Sequence, residues 1–367
     1  MKIAYLITGL GLGGAEVITI DIANQMARNG CKVLMLYLTG ENACSQRIDP
    51  EIEVTGLDMR STPLRYMKAL LKARRILKKF KPGIIHAQMF YACIFARILR
   101  IIYCRPKLIC TEHNKNIEAA YRMQLYRFTN CLSDFNTNVS QEAVDYFIEQ
   151  KAFKRSNSRV VYNGIDLSKF VPNPVSRTLI RRLYGINDDE FLFLSVGRLT
   201  IQKDHHTLIS AFSTISDAKL MIVGEGDLAS DLKQFAFELG VGGNVIFAGA
   251  HDNIEDYYNA ADCFVLSSAW EGFGIVLAEA MACALPVITT DAGGCREVVD
   301  DDTCVVPPGD TVHLAMKMQQ IQTMPPVCRQ ATGDKNRMKA SRFDIKHIVA
   351  EWTAIYEMAE NKDISLL

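Results

Sequence analysis

Two series of short apolar runs, each rich in β-branched residues and alternating with longer helical patterns, constrain this chain more than any other feature. The first series is KIAYLIT, KVLMLYL, GIIHAQ, KLICTEH and FNTNVS; the second is FLFLSVG, KLMIVGEG, NVIFAG, DCFVLSS, PVITTDA and TCVVPP. Short runs of this kind between turn signals read as buried strands, and strands alternating with helices read as parallel βαβ units. The pattern occurs twice, and 367 residues is long for one core and ample for two. Between the series lies VVYNGIDLSKFVPNPVS, whose Asn-Gly pair and prolines mark a linker near 162–176. The expected fold is therefore α/β, with two Rossmann-like doubly wound parallel sheets facing a cleft and ligands at the carboxyl ends of the strands. The expected domains are 1–165 and 166–344. Ile345, Ile348, Trp352, Ile355 and Tyr356 make the last stretch, 345–367, an amphipathic helix expected to pack back on the first domain, with the KDISLL tail frayed.

Charge is unevenly spread. The chain is formally neutral, with 41 Lys and Arg against 41 Asp and Glu, yet residues 1–170 carry 25 basic and 14 acidic side chains, a net of +11 that leaves −11 for the rest. From Arg60 to Lys107 there are 13 basic residues and no acid, and Lys68, Lys72, Arg75 and Lys79 recur at helical spacing opposite Met67, Leu70, Leu71 and Leu77. Such a helix suits an anionic membrane surface; its plainer reading is a solvated helix face. Nucleic acid is not expected, because aromatic residues are not interleaved with the charge. Eleven scattered cysteines form no CxxC pair and read as reduced thiols, which points to a cytoplasmic protein, peripheral on the inner face of the cell membrane if the basic helix docks there. No apolar run is long enough to span a bilayer.

The strongest chemical constellation is SSAWEGFGIVLAEAMACALPVITTDAGGCREVV. Glu271 falls in a turn after a strand, Gly272 and Gly274 permit close backbone approach, and a helix then begins with its free N–H groups and positive dipole end exposed. That is an anion site. Glu279 follows eight residues later, and two carboxylates so spaced can hold hydroxyls on either side of a diphosphate. Arg198 and Lys203, after the run FLFLSVG, add two cations at a strand end. As a bare pattern, Glu-x7-Glu means little.

Together these pieces resemble glycosyltransferase family 4, of the GT-B fold. VGRLTIQKDHHTLISAF is similar to the family's donor-phosphate segment, VYNGIDLSKF to its linker, GLGGAE to its N-terminal glycine loop, and DYYNAADCFVLSSAWEGFG to its approach to the donor site. The resemblance, which covers nearly the whole chain, implies a retaining transferase acting on a nucleotide sugar, most often UDP-linked, without metal or other cofactor. It implies that Arg198 and Lys203 clamp the donor diphosphate, Glu271 holds the transferred sugar and Glu279 the ribose. Phe273, Gly274, Ile275 and Val276 would offer backbone N–H groups, and Gly13, Gly14 and Glu16 would meet the donor from the first domain. His113 matches the family's histidine near the acceptor hydroxyl and the sugar. His86, which ends a strand on the same side, is the weaker candidate for that role and reads more readily as a buried, hydrogen-bonded strand residue; His205 and His206 read as helix caps. The basic stripe favours a polyprenyl-diphosphate-linked glycan acceptor, as in bacterial surface-polysaccharide assembly (O-antigen, capsule or exopolysaccharide), with a hexosyl or N-acetylhexosaminyl group transferred.

Two other classes compete. Gly9, Gly11 and Gly14 satisfy GxGxxG after a strand, the mark of a dinucleotide-binding oxidoreductase, but Glu41 comes late for the ribose-binding acid that should end the second strand. That reading also leaves Arg198, Lys203, Glu271 and Glu279 unexplained. A catalytically silent, membrane-bound partner subunit would have no reason to keep those four charges. Asp300 and Asp302 have the letters of a metal-binding Asp-x-Asp but sit in a polar turn.

Overall fold

The structure, a computed structural model, describes residues 1–11, 13–40, 42–60, 62–116 and 119–361; Leu12, Glu41 and the KDISLL tail lie outside the described residues. The chain forms two compact units, one of Met1–Gly164 with the segment from Ile345 onward, the other of Ile165–Asp344.

The first unit holds β1 (Lys2–Ile7), β2 (Lys32–Tyr37), β3 (Glu53–Gly56), β4 (Ile84–Gln88), β5 (Lys107–Glu112), β6 (Phe135–Asn138) and β7 (Ser158–Val160). They form one sheet in the order β3-β2-β1-β4-β5-β6-β7, and every pairing is parallel. The second unit holds β8 (Phe191–Val196), β9 (Ala218–Val223), β10 (Val245–Gly249), β11 (Cys263–Leu266), β12 (Val287–Thr290) and β13 (Val305–Val306), ordered β10-β9-β8-β11-β12-β13 and again all parallel. The central strands are continuous hydrophobic runs because helices cover both faces of a parallel sheet; β8, for instance, is buried from Phe191 to Ser195. The fold class is the doubly wound α/β expected of the sequence.

In both sheets the chain first winds to one side and then returns to the other, so the loops after the two strands at the reversal diverge and leave room between them. In the second unit those strands are β8 and β11. This topology brings Arg198 and Lys203 toward Glu271, 68 residues beyond Lys203.

Four local expectations are corrected. β3 and β7, the two edges of the first sheet, are half-exposed and partly polar, which hides them from a search for apolar runs. Pro174 does not break structure: Asn173 accepts from the amides of Val175 (3.0 Å) and Ser176 (3.3 Å), and Pro174 opens the helix Pro174–Leu183, so the linker ends earlier than 176. Asp204, not a histidine, caps the helix His205–Phe212 by accepting from Thr207 N; His205 is buried and His206 pairs with Asp231. Finally, Met67 and Leu71 of the basic helix Pro63–Phe80 face solvent, while Ala69, Leu70, Ala73 and Leu77 form its buried face.

The last helix, Ile345–Glu360, belongs to the first unit. It buries Ile348, Trp352, Ile355 and Tyr356 against the helix Gly14–Arg28 and β4, and its Glu351 bonds Arg159 of the edge strand β7 at 2.7 Å. All eleven cysteines are unpaired.

Candidate active site

The site in the second unit is built by two loops at the carboxyl end of its sheet. After β8 the chain runs through Arg198 into a short 3-10 turn, Ile201–Lys203; after β11 it runs from Ser267 to Gly274 and into the helix Ile275–Ala282. Three bonds fasten the loops together. Ser267 Oγ donates to Lys203 O (2.9 Å), Ala269 N to Gln202 O (2.8 Å), and Gln202 Nε2 to Trp270 O (3.0 Å).

On this frame Lys203 Nζ lies 2.5 Å from Glu271 Oε1, and Ser268 Oγ donates to the same oxygen at 2.7 Å. Both charged side chains are largely buried, with 15% of Lys203 and 9% of Glu271 exposed. Oε2 of Glu271 has no protein partner among the described residues, so this carboxylate is held by one oxygen and offers the other. A largely buried pair of this kind adds little net stability, because desolvation offsets attraction, but it fixes two opposite charges where they would otherwise wander. Lys203 is thus tied to Glu271, whereas the side chain of Arg198 is exposed and has no bonded partner among the described residues.

The turn carrying Glu271 rests on backbone. Gly293, at φ 59°, packs so closely that a Cβ there would overlap the carbonyl oxygen of Glu271. Phe273 is core: its ring meets Phe343 edge-on at 5.1 Å, leaving only its backbone to face a ligand. Gly274, at φ 78°, caps the next helix without any side-chain bond, so the first amides, those of Ile275 and Val276, keep no intrahelical acceptor and carry the positive end of the helix dipole. One turn further on, Glu279 accepts from the buried hydroxyl of Tyr258 at 2.7 Å.

In the first unit Gly13 caps the helix Gly14–Arg28, and Glu16 folds back over Gly13 closely enough to fill the space of a Cβ. His113 follows β5; its Nε2 lies 2.7 Å from Gln88 Oε1 at the end of β4, and its Nδ1 is buried without a partner. Burial pushes its pKa down to about 4. His86 is fully buried inside β4 and, as expected, hydrogen-bonded on both nitrogens.

Motif reasoning passed over Ser268, Tyr258, Gly293 and Gln88. Ser268 stands three residues before Glu271 in SSAWEG, Gly293 belongs to DAGG and Tyr258 to DYYNAAD, so all three lie within quoted motifs, but no spacing singles them out. Of the acids with metal-motif letters, Asp302 is bound by Arg296, which also holds Asp291 at 2.8 Å. Among the described residues no group of three or more His, Cys, Asp or Glu side chains is placed to hold a metal ion.

Two family descriptions match consecutive parts of the chain: "Glycosyltransferase Family 4" over residues 12–169 and "Glycosyl transferases group 1" over 176–337. The chain is a glycosyltransferase of the family 4 type. Among its relatives, the putative glycosyltransferase EpsD of Bacillus subtilis is 28% identical over 79% of this chain and 80% of its own. The Escherichia coli UDP-Gal:alpha-D-GlcNAc-diphosphoundecaprenol alpha-1,3-galactosyltransferase is 27% identical over 63% of each. The GT-B fold is shared with Anabaena Alr3699/HepE, solved in complex with UDP, at a TM-score of 0.84 and 24% identity over 97% of this chain and 100% of that one. Family membership makes the chain a transferase and sets aside the dinucleotide reading of Gly9, Gly11 and Gly14.

Proposed function

We propose that this glycosyltransferase moves a hexosyl or N-acetylhexosaminyl group, with retention, from a UDP sugar to a glycan carried on polyprenyl diphosphate, in the assembly of a bacterial surface polysaccharide. The observation that carries the reading is the Lys203–Glu271–Ser268 cluster at the strand-order reversal, beside a helix start that no side chain caps. The free oxygen of Glu271 accepts from hydroxyls of the transferred sugar. Lys203 and Arg198 stabilise the charge that grows on the departing diphosphate, with the amides of Gly274, Ile275 and Val276 as further donors. Glu279, anchored by Tyr258, holds the ribose, and Gly13, Gly14 and Glu16 meet the donor from the first unit. The departing phosphate takes the acceptor's proton on the same face, so no enzyme nucleophile and no metal is required. The UDP bound by the Anabaena protein and the lipid-linked substrate in the name of the Escherichia coli relative support the donor and acceptor classes.

The acceptor side of the proposal has the enzyme lie peripherally on the cytoplasmic face of an anionic membrane. Among the described residues no helix is long and apolar enough to cross a membrane. The helix Pro63–Phe80 instead exposes Leu64, Met67 and Leu71 in a row at helical spacing, with Lys68, Arg75 and Lys79 beside it. Lys72 is tied back to Gly56 O (2.6 Å) and Asp58 (2.9 Å), so it contributes less. The test of the whole reading is a screen of UDP-, GDP- and ADP-sugars by nucleotide release, with and without EDTA, on the wild type and Glu271→Ala. Release from UDP sugars that survives EDTA and is lost in the variant is expected; preference for another nucleotide, or dependence on metal, overturns that part.

A further inference from the structure

The first unit contains a continuous polar chain through its core that ends at His113. Tyr5 Oη lies 3.1 Å from Tyr356 Oη, and Tyr356 Oη lies 2.6 Å from His86 Nδ1. His86 Nε2 meets Thr111 Oγ1 at 2.6 Å and Gln88 Nε2 at 3.0 Å, and Thr111 Oγ1 meets Thr137 Oγ1 at 2.6 Å. Gln88 Oε1 then meets His113 Nε2 at 2.7 Å. All of these side chains except His113 are buried.

Hydrogen-bond chemistry gives this chain a direction. The amide oxygen of Gln88 can only accept, so His113 Nε2 carries a proton. The ring is neutral because burial disfavours its charge, and Nδ1 therefore holds a bare lone pair. The amide nitrogen of Gln88 can only donate, so His86 Nε2 is an acceptor and His86 Nδ1–H donates to Tyr356, whose proton passes to Tyr5. Thr111 donates to His86, and Thr137 donates to Thr111. Every group finds a partner in this one arrangement, save one atom. His113 Nδ1 is buried and unpartnered, and leaving such an atom unsatisfied is unfavourable until a donor arrives.

We propose that Gln88 is a positioning residue for transfer: it locks His113 in the Nε2–H tautomer, so that Nδ1 accepts a hydrogen bond from a hydroxyl of the bound sugar substrate. The proposal rests on the role that the family resemblance gives His113, near the acceptor hydroxyl and the transferred sugar. It assigns His113 Nδ1 as an acceptor and excludes it as a donor. His86, Tyr356 and Tyr5 serve by orienting the Gln88 amide, which explains why the C-terminal helix brings a tyrosine into the first unit's core.

The tautomer is read directly, without donor or acceptor, from long-range proton–nitrogen spectra of the full chain labelled with 15N-histidine, the His113 ring being identified by its loss in His113→Gln. The wild type is expected to show His113 as Nε2–H. Gln88→Met, close in volume but unable to accept, is expected to give a mixture of tautomers and a fall in kcat of about three- to tenfold with KM little changed, as befits one neutral hydrogen bond. Gln88→Glu keeps the acceptor, and the Tyr5–Tyr356–His86 chain can reverse its protons around the new oxygen, so the Nε2–H form and most of kcat are expected to return. An Nδ1–H ring in the wild type, an unchanged ring in Gln88→Met, or equal losses in the two variants with the tautomer intact would overturn the proposal. Unaltered transfer by His113→Gln would instead sink the placement of His113, and it is read from the kinetic arm alone.

Discussion

Lys203 and Glu271 are contributed by loops that follow different strands, β8 and β11, and they meet as an ion pair of 2.5 Å that Ser268 braces from the same oxygen. Stability and catalysis ask different things of this pair. Removing either partner leaves a buried charge uncompensated, whereas removing both leaves none. Lys203→Ala is therefore expected to lower Tm by several degrees while the enzyme stays folded, and to reduce turnover by roughly two orders of magnitude, the scale of about 3 kcal/mol of lost charge stabilisation. The double variant Lys203→Met/Glu271→Gln is expected to regain most of the Tm and none of the turnover. Near-normal turnover in Lys203→Ala would remove the lysine from the mechanism.

Ser268 supplies a neutral donor to the carboxylate, and Lys203 remains when it is gone. Ser268→Ala is expected to cost about 0.5–1.5 kcal/mol, seen as a two- to tenfold loss in kcat/KM for the donor. A loss as large as that of Glu271→Ala would mean that Ser268 itself touches the sugar.

Gly293 separates close packing from backbone strain. Alanine there meets both a positive φ and the carbonyl of Glu271, whereas alanine at Gly309, also at positive φ (75°), meets open space. Gly309→Ala is expected to destabilise by about 1 kcal/mol and to leave activity intact. Gly293→Ala is expected to destabilise by more, up to about 3 kcal/mol, and to inactivate by displacing Glu271. Thermal denaturation beside nucleotide release checks both, and equal behaviour of the two variants would refute the packing argument.

Elements buried on both faces were the legible ones. The strands β1, β8 and β11 announce themselves because a helix-covered parallel strand must be apolar throughout. The edge strands β3 and β7 escape the same logic, since Glu53, Thr55, Ser158 and Arg159 meet the demands of half-exposed positions. In the site, Arg198, Lys203, Glu271 and Glu279 could be named because their motifs, taken together in order and spacing, resemble those of one glycosyltransferase family; no single piece would have sufficed. What touches them could not. That Lys203 bonds Glu271, 68 residues further along the chain, depends on loops from two different strands, and that Tyr258 bonds Glu279 depends on the packing of a neighbouring helix. Gln88 was read as a strand residue because its partners, His86, Thr111 and His113, assemble only when β4 and β5 pair.

The buried histidines predict how stability depends on pH. Burial pushes His86 and His205 down to about 3 and His113 to about 4, from an ordinary value of 6.5. The unfolded chain therefore takes up these protons first, so their contribution is complete above about pH 6.5 and is lost as the pH falls toward 4. Glu112, raised by burial to about 7, works in the opposite sense and favours folding as the pH falls from 7 toward 4.5. Three histidines outweigh one carboxyl. The Tm is expected to fall by several degrees between pH 7 and pH 5, each histidine contributing at most about 1.4 kcal/mol per pH unit. A flat or rising Tm across that range would mean that one of these rings is charged in the folded protein.

The basic helix makes the last prediction, and it separates charge from apolar contact. Lys68, Arg75 and Lys79 are exposed, and each basic residue close to anionic headgroups adds about 1 kcal/mol to membrane affinity. Leu64, Met67 and Leu71 add a hydrophobic row that no electrolyte screens. Flotation with vesicles containing anionic lipid is expected to carry the wild type, and vesicles of neutral lipid to carry much less. Replacing Lys68, Arg75 and Lys79 by glutamine should weaken anionic-vesicle binding by roughly two orders of magnitude, the sum of three such contributions. Replacing Leu64 and Leu71 by serine should weaken binding to both vesicle types alike and leave the salt dependence unchanged. Equal flotation of the wild type and the charge variant would strip the helix of its membrane role.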